Sequence, residues 1–207
     1  MLSLVDMLVA FWLLGCADFV NIKCMKLTTN DYRVETSARH VHLSRADFVK
    51  LFGADAEMAV AKPLSVNGEF KSDKTVTIVG TKRNFERVAV LGPFRTQTQV
   101  EIAVTDSYTL GVKDVPVRMS GDLHGSAPVT LLGPAGTVNL PEGMIVAQRH
   151  LHINPRDMQK FGLINGQAVE ITVGTARQAT FHNVIVRESD VDFPTVHLDT
   201  DEANAVL

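Results

Sequence analysis

Arg-His-Val-His-Leu-Ser-Arg-Ala-Asp at residues 39–47 and Arg-His-Leu-His-Ile-Asn-Pro-Arg-Asp at residues 149–157 are two copies of one pattern, R-H-x-H-[LI]-[SN]-x-x-D. The pattern contains four of the seven histidines of the chain. The likeness continues downstream in matching residues, which are Lys50, Phe52 and Gly53 in the first copy and Lys160, Phe161 and Gly162 in the second. The chain therefore carries an internal duplication, and we expect each copy to be a strand followed by a short helix.

The paired histidines of each copy predict a metal site. Alternate side chains of a β-strand point to the same face, so both imidazoles of an H-x-H pair are directed to one side. Two imidazoles on one face can bind a divalent metal ion. A single H-x-H pair is often only a polar strand surface, but its repetition inside a longer repeated frame favours ligation. The two pairs indicate either two metal ions or one ion held between the two halves.

The composition is that of an ordinary globular chain of 207 residues, with 45% hydrophobic and 21% charged residues. This length suits one large domain or two small ones. The net charge of −3 and the aromatic content of 6% argue against a nucleic-acid-binding surface, which needs basic patches and stacking side chains. The two cysteines, Cys16 and Cys24, lie near the N-terminus and cannot cross-link the main body. We therefore expect a reducing compartment and no disulfide scaffold.

Residues 1–24 are predicted to be an N-terminal extension. Its apolar stretch, residues 7–17, is shorter than the roughly 20 residues that a membrane-spanning helix needs. The stretch ends in a sequence that resembles a lipoprotein cleavage site. The residues before the stretch include Asp6 and contain no Lys or Arg, which disfavours a signal peptide. The alternatives are a dispensable or partner-binding extension, a targeting peptide, and sequence upstream of a natural start at Met25. No membrane association is expected.

Most of the chain from residue 33 onward has the pattern of short β-strands. Runs rich in Val, Ile and Thr alternate with Gly, Pro, Asn and Asp, which is typical of barrels and sandwiches. The predicted strands are Val34–Leu43, Thr75–Val79, Arg87–Leu91, Gln99–Val104, Val115–Met119, Val129–Leu132, Thr137–Leu140, Gly143–Ile153, Ala168–Val173, Ala179–Val186 and Thr195–Leu198. Ser44 and Asn154 are predicted N-caps of short helices, and Glu202–Val206 is a predicted helical turn. The duplication predicts two similar barrels that meet where the histidine pairs converge.

Three further residues are candidates for the same site on their chemistry alone. His197 could add an imidazole to one of the pairs, and Glu101 could direct a carboxylate at the metals, although a strand glutamate is more often exposed. Arg95 lies in a tight turn, where a guanidinium beside a metal pair would suit an anionic substrate. His124 and His182 have no paired neighbour and are predicted to be ordinary surface histidines.

Five motifs follow one another in the chain: S-A-R-H-V-H-L-S at residues 37–44, L-G-P-x-R-x-x-x-Q-V-E at 91–101, M-S-G-D-L-x-G at 119–125, G-x-I-V-A-Q-R-H-L-H at 143–152 and H-x-D-T-D-E-A-N at 197–204. Together they resemble the PduL-type phosphate propanoyltransferases, a family of phosphotransacylases, from about residue 33 onward. The resemblance implies a mainly β fold of two interleaved short β-barrels with capping helices. It implies a first barrel domain over residues 38–148 and a second formed by residues 25–37 together with 149–207.

The resemblance also implies roles for individual residues. One zinc ion would be held by His40, His42 and Glu101, and a second by His150, His152 and His197. Arg95 would be the catalytic arginine, and coenzyme A would contact Ser37, Lys62, Leu91 and Asn204. Position 89 is Ala where family members often have Arg, so one coenzyme contact differs, and Arg87 is a candidate to replace it.

The activity that the resemblance implies is the reversible conversion of acyl-CoA, either propanoyl-CoA or acetyl-CoA, and phosphate into acyl phosphate and CoA. The cofactors would be two zinc ions per chain, with other divalent metals as alternatives. A homodimer is implied, in the bacterial cytoplasm or inside a bacterial microcompartment with its shell or core proteins, in a pathway such as propanediol degradation. The residues alone leave two other functions open: a binuclear zinc hydrolase of thioesters, and a module in which zinc is structural.

Overall fold

The structure, a computed structural model, describes Leu27 and residues 30–206. Its strands are β1 (Arg33–Ser37), β2 (His40–Ser44), β3 (Val60–Pro63), β4 (Phe70–Val79), β5 (Phe85–Arg95), β6 (Gln99–Ile102), β7 (Val117–Arg118), β8 (Ala127–Leu132), β9 (Thr137–Ala147), β10 (His150–Ile153), β11 (Ala168–Val173), β12 (Ala179–Glu188) and β13 (Thr195–Asp199). Its helices are α1 (Arg45–Phe52), α2 (Val104–Leu110), α3 (Pro155–Phe161) and α4 (Thr200–Ala205). The predicted mainly β fold is confirmed.

The predicted extension, residues 1–24 with Cys16 and Cys24, and the alternative start at Met25 lie outside the described residues. None of the described helices is long and apolar enough to cross a membrane.

The strands β2 to β9 form one hydrogen-bonded sheet that closes into a barrel. Six strands follow one another around the ring in the order β4-β5-β2-β6-β9-β8, and the pairing of β8 with β4 closes it. β3 lies beside β4 outside this ring, and β7 lies beside β9. The interior is filled by aliphatic side chains that have no exposed surface, among them Val41, Leu43, Val90 and Leu131. Their burial is the main source of stability of such a barrel.

The second sheet contains the strands of the second half of the chain together with the first described strand. Its order is β1-β13-β10-β12-β11, and it has a core of its own around Leu151, Ile153 and Ile171. β1 precedes every strand of the barrel in sequence but pairs in parallel with β13. The two halves are therefore interleaved along the chain. The predicted boundaries of two domains stay a prediction, since a sheet assignment does not test independent folding.

Each copy of the duplicated pattern forms the same local structure, a strand followed by a helix: β2 and α1 in one half, β10 and α3 in the other. The Ser44 side chain accepts a hydrogen bond from the backbone N–H of Asp47, and the Asn154 side chain accepts one from Asp157. Both predicted N-caps are thus confirmed. Pro155 occupies the first turn of α3, where its missing N–H removes no helical hydrogen bond.

Two long strands predicted from the sequence are each divided in the structure. Val34–Leu43 contains β1 and β2, which residues 38–39 separate, and Gly143–Ile153 contains the end of β9 and β10, which residues 148–149 separate. Each break lies where the chain passes from one sheet to the other. The alternation of side chains along the strand continues across each crossing, so the sequence pattern could not show that the chain changes sheets there.

The other departures are local. The predicted strand Gln99–Val104 ends at Ile102, and Val104 begins α2, which was not predicted. The predicted strand Val115–Met119 is reduced to the two residues of β7. β3 was not predicted, because its four residues are all exposed and carry no alternation. The predicted final turn is confirmed as α4.

Candidate metal centre

The first cluster of metal-ligand side chains, His40, His42 and Glu101, is formed by β2 and β6. The two histidines alternate on β2, and Glu101 lies directly opposite His40 on β6. All three are buried, so Glu101 is not the exposed strand glutamate that the sequence left open. The two Nε2 atoms are 3.1 Å apart, and Glu101 Oε2 lies 3.6 Å from His40 Nε2. One ligand atom from each residue lies within 4.8 Å of the other two.

The second cluster, His150, His152 and His197, repeats this arrangement in the other sheet. The pair alternates on β10, and His197 on β13 lies directly opposite His150. The Nε2 atoms of His150 and His152 are 2.9 Å apart. The imidazole centroid of His197 lies 5.1 Å from that of His150 and 4.6 Å from that of His152. Strand pairing therefore assembles three imidazoles whose ligand atoms lie within 4.8 Å of one another.

The tautomers of the first histidine in each pair leave its Nε2 lone pair available. His40 Nδ1 lies 2.9 Å from the carbonyl oxygen of Ala38, and His150 Nδ1 lies 2.8 Å from that of Gln148. A carbonyl oxygen only accepts, so each Nδ1 carries the hydrogen and each Nε2 has a free lone pair. The two Nε2 atoms of each pair are 3.1 and 2.9 Å apart, close enough for one cation to contact both.

The electrostatics of the first cluster attract positive charge. Burial raises the pKa of Glu101, but the charges of His40 and His42 and hydrogen bonds from His40 and Ser120 outweigh it, and the pKa lies well below its usual value. Burial lowers the pKa of His40, but the charge and hydrogen bond of Glu101 outweigh it and raise the pKa. Glu101 is thus an ionised carboxylate that favours a cation beside it.

The imidazoles of the second cluster are neutral at neutral pH. Burial, followed by the charge of His197, lowers the pKa of His150 to about 4. Burial, followed by the charges of His150 and His197, lowers the pKa of His152 to about 2. Neutral imidazole is the form that binds a metal ion. Ser189 Oγ, 2.6 Å from His152 Nδ1, orients the second ring of the pair.

Both clusters fit a divalent metal ion. His197 Nε2 is buried and has no hydrogen-bond partner among the residues that the structure describes, which is unfavourable unless it binds something. Imidazole and carboxylate are zinc ligands, and a set of three protein ligands leaves a coordination position open for substrate. Zinc is therefore compatible with the donors of each cluster.

A cavity of about 310 Å³ lies between the two sheets, and both clusters line it. Arg95 also lines it, but it is the last residue of β5, so the tight turn predicted for it was wrong. Arg95 Nη1 donates a hydrogen bond of 2.8 Å to Ser120 Oγ, and its Nη2 lies 3.6 Å from a carboxylate oxygen of Glu69. Ser120 Oγ in turn donates to Glu101 Oε1 at 2.7 Å. One hydroxyl thus connects the predicted catalytic arginine to the first cluster.

Gln99 also positions Glu101, and neither Gln99 nor Ser120 was predicted from the sequence. Gln99 Nε2 donates to Glu101 Oε1 at 2.5 Å and to Ser120 Oγ at 3.0 Å. The backbone N–H of Gly121 donates to Gln99 Oε1 at 2.7 Å, which fixes the orientation of the amide. Gln99 could have been found from its place two residues before Glu101, since alternate residues of a strand share a face.

Only some of the predicted coenzyme contacts lie at the cavity. Ser37 and Leu91 line the cavity, whereas Lys62 and Asn204 are exposed and do not. Ala89, where family members often have Arg, also lines the cavity, and the exposed Arg87 does not. Lys71 on β4 lines the cavity directly opposite Leu91. The structure therefore offers Lys71, rather than Arg87, as a cation beside Leu91 in the cavity.

Among the charged residues at the cavity that were not predicted from the sequence are Glu35 and Arg187. Glu35 on β1 lies opposite His197, and its Oε2 is 3.5 Å from His197 Nε2 and accepts a hydrogen bond of 2.7 Å from Ser65. Arg187 on β12 lies opposite His152. Both reach the cavity from strands that pair with the histidine strands, and this register is not visible in the sequence.

The remaining two histidines, His124 and His182, lie at the surface, as predicted. His182 Nδ1 is 2.7 Å from Glu170 Oε1, and both side chains are exposed. Within residues 30–206, neither histidine belongs to a group of three potential metal ligands.

Comparisons with known proteins agree with one another. The family model described as phosphate propanoyltransferase matches residues 33–207. The phosphate propanoyltransferase of Rhodobacter capsulatus is 45% identical over 172 residues, which are 83% of this chain and 80% of that protein. The phosphate propanoyltransferase of Clostridioides difficile is 45% identical over 172 residues, 83% of this chain and 82% of that protein. The phosphate propanoyltransferase of Thermotoga maritima is 43% identical over 175 residues, 84% and 83% of the two chains.

Proposed function

The chain belongs to the phosphate propanoyltransferase family and is an acyltransferase, and we propose that it transfers an acyl group reversibly between coenzyme A and inorganic phosphate. The acyl donors are propanoyl-CoA and acetyl-CoA, since one methylene contributes only about 1 kcal/mol to binding in a pocket. The observation that carries the proposal is that two clusters of metal ligands and Arg95 face one cavity.

Two zinc ions per chain would be held, one by the first cluster and one by the second. When bound, zinc supplies a Lewis acid that stabilises the departing thiolate of CoA and binds phosphate in the open coordination positions. Imidazole ligands also accept cobalt or nickel, so other divalent metals are alternatives. The part of this chain is to hold the donors in place: Ser120 and Gln99 fix Glu101, and Ser189 orients His152.

The reaction brings two anions together, and the cations of the cavity reduce their repulsion. A phosphate oxygen attacks the thioester carbonyl carbon, the C–O bond of acyl phosphate forms, and the C–S bond breaks to release CoA thiolate, which takes a proton from solvent. Arg95 donates hydrogen bonds to the phosphate and to the oxyanion that develops on the carbonyl oxygen. Its contact with Ser120 directs the guanidinium towards the first cluster. Positioning supplies most of the remaining acceleration.

Two other functions would use the same donors. A binuclear zinc hydrolase would activate water and release carboxylate without phosphate. A structural zinc module would have closed sites, which are often rich in cysteine. The first cluster has two imidazoles and a carboxylate, the second has three imidazoles, and both line a cavity. This arrangement supports a catalytic role for the metals.

The test is the release of CoA from propanoyl-CoA by the purified protein, with and without phosphate, before and after chelation. Release that needs phosphate, disappears on chelation and returns with zinc is the expected result. Release without phosphate would indicate the hydrolase, and no release by zinc-loaded protein would indicate the structural module. Acetyl-CoA in the forward direction, and propanoyl phosphate with CoA in the reverse direction, test the breadth and reversibility of the reaction.

The proposal also includes the oligomeric state and the cellular location of the protein. The family resemblance supports a homodimer and a place in the bacterial cytoplasm or in a microcompartment, in a pathway such as propanediol degradation. Light scattering after size-exclusion chromatography measures the mass of the assembly. Co-purification of the chain with microcompartments from cells that form them tests the location.

A further inference from the structure

Arg187 is a half-buried cation of the cavity that has no acidic partner among the residues that the structure describes. It lies at the end of β12 and lines the cavity between the two clusters. Its guanidinium forms no ion pair or hydrogen bond with any residue of the described chain. By contrast, Arg39 pairs with Asp106 and Arg149 pairs with Glu202, at 2.5 and 2.7 Å. The two arginines that begin the duplicated patterns are therefore neutralised within the fold, and Arg187 is not.

Arg187 lines the cavity together with residues of both sheets, among them Arg95 at the end of β5 and His152 on β10. Arg95 lies 3.6 Å from a carboxylate oxygen of Glu69, so Arg187 is the cavity guanidinium that no described carboxylate neutralises, and its charge favours a bound anion.

The duplication gives Arg187 an equivalent in the barrel, which is the predicted coenzyme contact Leu91. In the barrel, His42 pairs across the parallel strands with Leu91, one of the predicted coenzyme contacts. In the second sheet the equivalent residue, His152, pairs with Arg187. One half therefore has an apolar residue where the other has a cation. Lys71, the other cation that lines the cavity near Leu91, lies on the barrel side.

We propose that Arg187 binds the phosphoryl group of inorganic phosphate, and of acyl phosphate in the reverse direction, so that one arginine from each sheet contacts the group that is transferred. This inference rests on the proposed function. A guanidinium donates two parallel hydrogen bonds to two phosphate oxygens, and Arg95 from the barrel would contact others. The metal ions and the two arginines would then enclose the phosphoryl group from both sheets.

The test compares full-length Arg187→Met and Arg187→Lys with the wild-type protein, each loaded with zinc. We expect Arg187→Met to raise KM for phosphate about tenfold or more, because it removes a charged hydrogen-bond donor. KM for propanoyl-CoA should change less than about twofold by the same reasoning, since none of the predicted coenzyme contacts lies on β12. Arg187→Lys keeps the charge but loses the two-pronged contact, so its KM for phosphate should lie between the other two.

The matched control is Arg177→Met, which removes an exposed arginine before β12 and should leave both KM values unchanged. Metal content per chain and binding of inorganic phosphate, followed by 31P line broadening, are measured on the same proteins. Unchanged metal content with weaker phosphate binding in Arg187→Met supports the proposal. An equal rise of KM for propanoyl-CoA, or unchanged phosphate binding, overturns it. If the wild-type protein binds phosphate but does not turn over propanoyl-CoA, the proposed function fails while the binding comparison still decides the role of Arg187.

Discussion

Glu101 and His197 occupy equivalent positions in the two halves of the molecule. Each lies on the strand antiparallel to the H-x-H strand and directly opposite its first histidine, Glu101 opposite His40 and His197 opposite His150. Each is followed by a short helix with an acidic residue in its first turn. The duplicated architecture therefore presents a third ligand in both halves, and only its chemistry has diverged, to a carboxylate in one and an imidazole in the other.

This equivalence predicts that each residue holds its own metal ion. Glu101→Gln should lower the zinc content of the protein from about two ions per chain to about one, because a three-ligand site loses its charged donor. His197→Ala should have the same effect through the second cluster. Zinc measured by plasma mass spectrometry after dialysis checks both variants, and His182→Ala, which changes an exposed histidine, should retain both ions.

The double variant separates the two arrangements that the sequence left open. Glu101→Gln together with His197→Ala should lose both ions if the clusters bind independently. If either single variant already loses all zinc, one ion is held between the halves and the two-ion proposal is wrong.

Arg95 should act on turnover rather than on metal binding. Arg95→Ala is expected to lower kcat about 100-fold or more in both directions, which is typical when a donor to a developing oxyanion is removed. Zinc content should stay unchanged. Ser120→Ala should lower kcat less, because it frees Arg95 and Glu101 without removing either charge. Arg83→Ala, an exposed arginine between β4 and β5, is the control. Near-normal turnover of Arg95→Ala would exclude its role.

Lys71 and Lys62 give opposing expectations for coenzyme binding. They are paired across β3 and β4, but Lys71 lines the cavity and Lys62 does not. Lys71→Met should therefore raise KM for propanoyl-CoA by about threefold to tenfold, as expected for a lost contact to a phosphate group, and leave KM for phosphate unchanged. Lys62→Met should have a smaller effect. A larger effect of Lys62→Met in steady-state kinetics would favour the contact implied by the family resemblance.

The short apolar runs allowed the mainly β class to be predicted, and the repeated histidine pattern indicated which imidazoles share a strand face, because both depend on local features. H-x-H spacing, Ser44 and Asn154 as caps, and the short apolar runs act within a few residues of the chain. The crossings at residues 38–39 and 148–149 could not be predicted, since they depend on which sheet each strand joins.

The positions of the charged residues around the two histidine clusters depend on long-range strand register. Glu35 faces His197 only because β1 pairs with a strand near the other end of the chain. Arg187 faces His152 only because β12 lies parallel to β10. The sequence around neither residue indicates its place at the cavity, because each reaches the cavity only through the pairing of its strand with a distant part of the chain.

The stability of the fold at acid pH should depend on Asp47, and its duplicate, Asp157, provides a comparison. The Asp47 carboxylate accepts hydrogen bonds from Ser44 Oγ, Thr98 Oγ1 and Lys50 Nζ at 3.0, 2.7 and 2.9 Å. Burial raises the pKa of Asp47, but these hydrogen bonds outweigh it, so the pKa lies below its ordinary value. The stabilisation is therefore fully present above the unfolded pKa of about 3.9 and is lost as the pH falls through the lower, folded pKa.

Asp47→Asn should lower the free energy of unfolding by about 1–3 kcal/mol at pH 7, because it weakens several buried hydrogen bonds to a charged group. Urea unfolding of metal-free protein at pH 7 and at about pH 3 measures the difference, which should shrink at the lower pH as the wild-type carboxylate takes up its proton. Asp157→Asn should cost less, since that carboxylate accepts from Asn154 at 2.9 Å and has only a 3.6 Å contact with Arg156. Equal differences at both pH values would show that packing rather than charge gives Asp47 its effect.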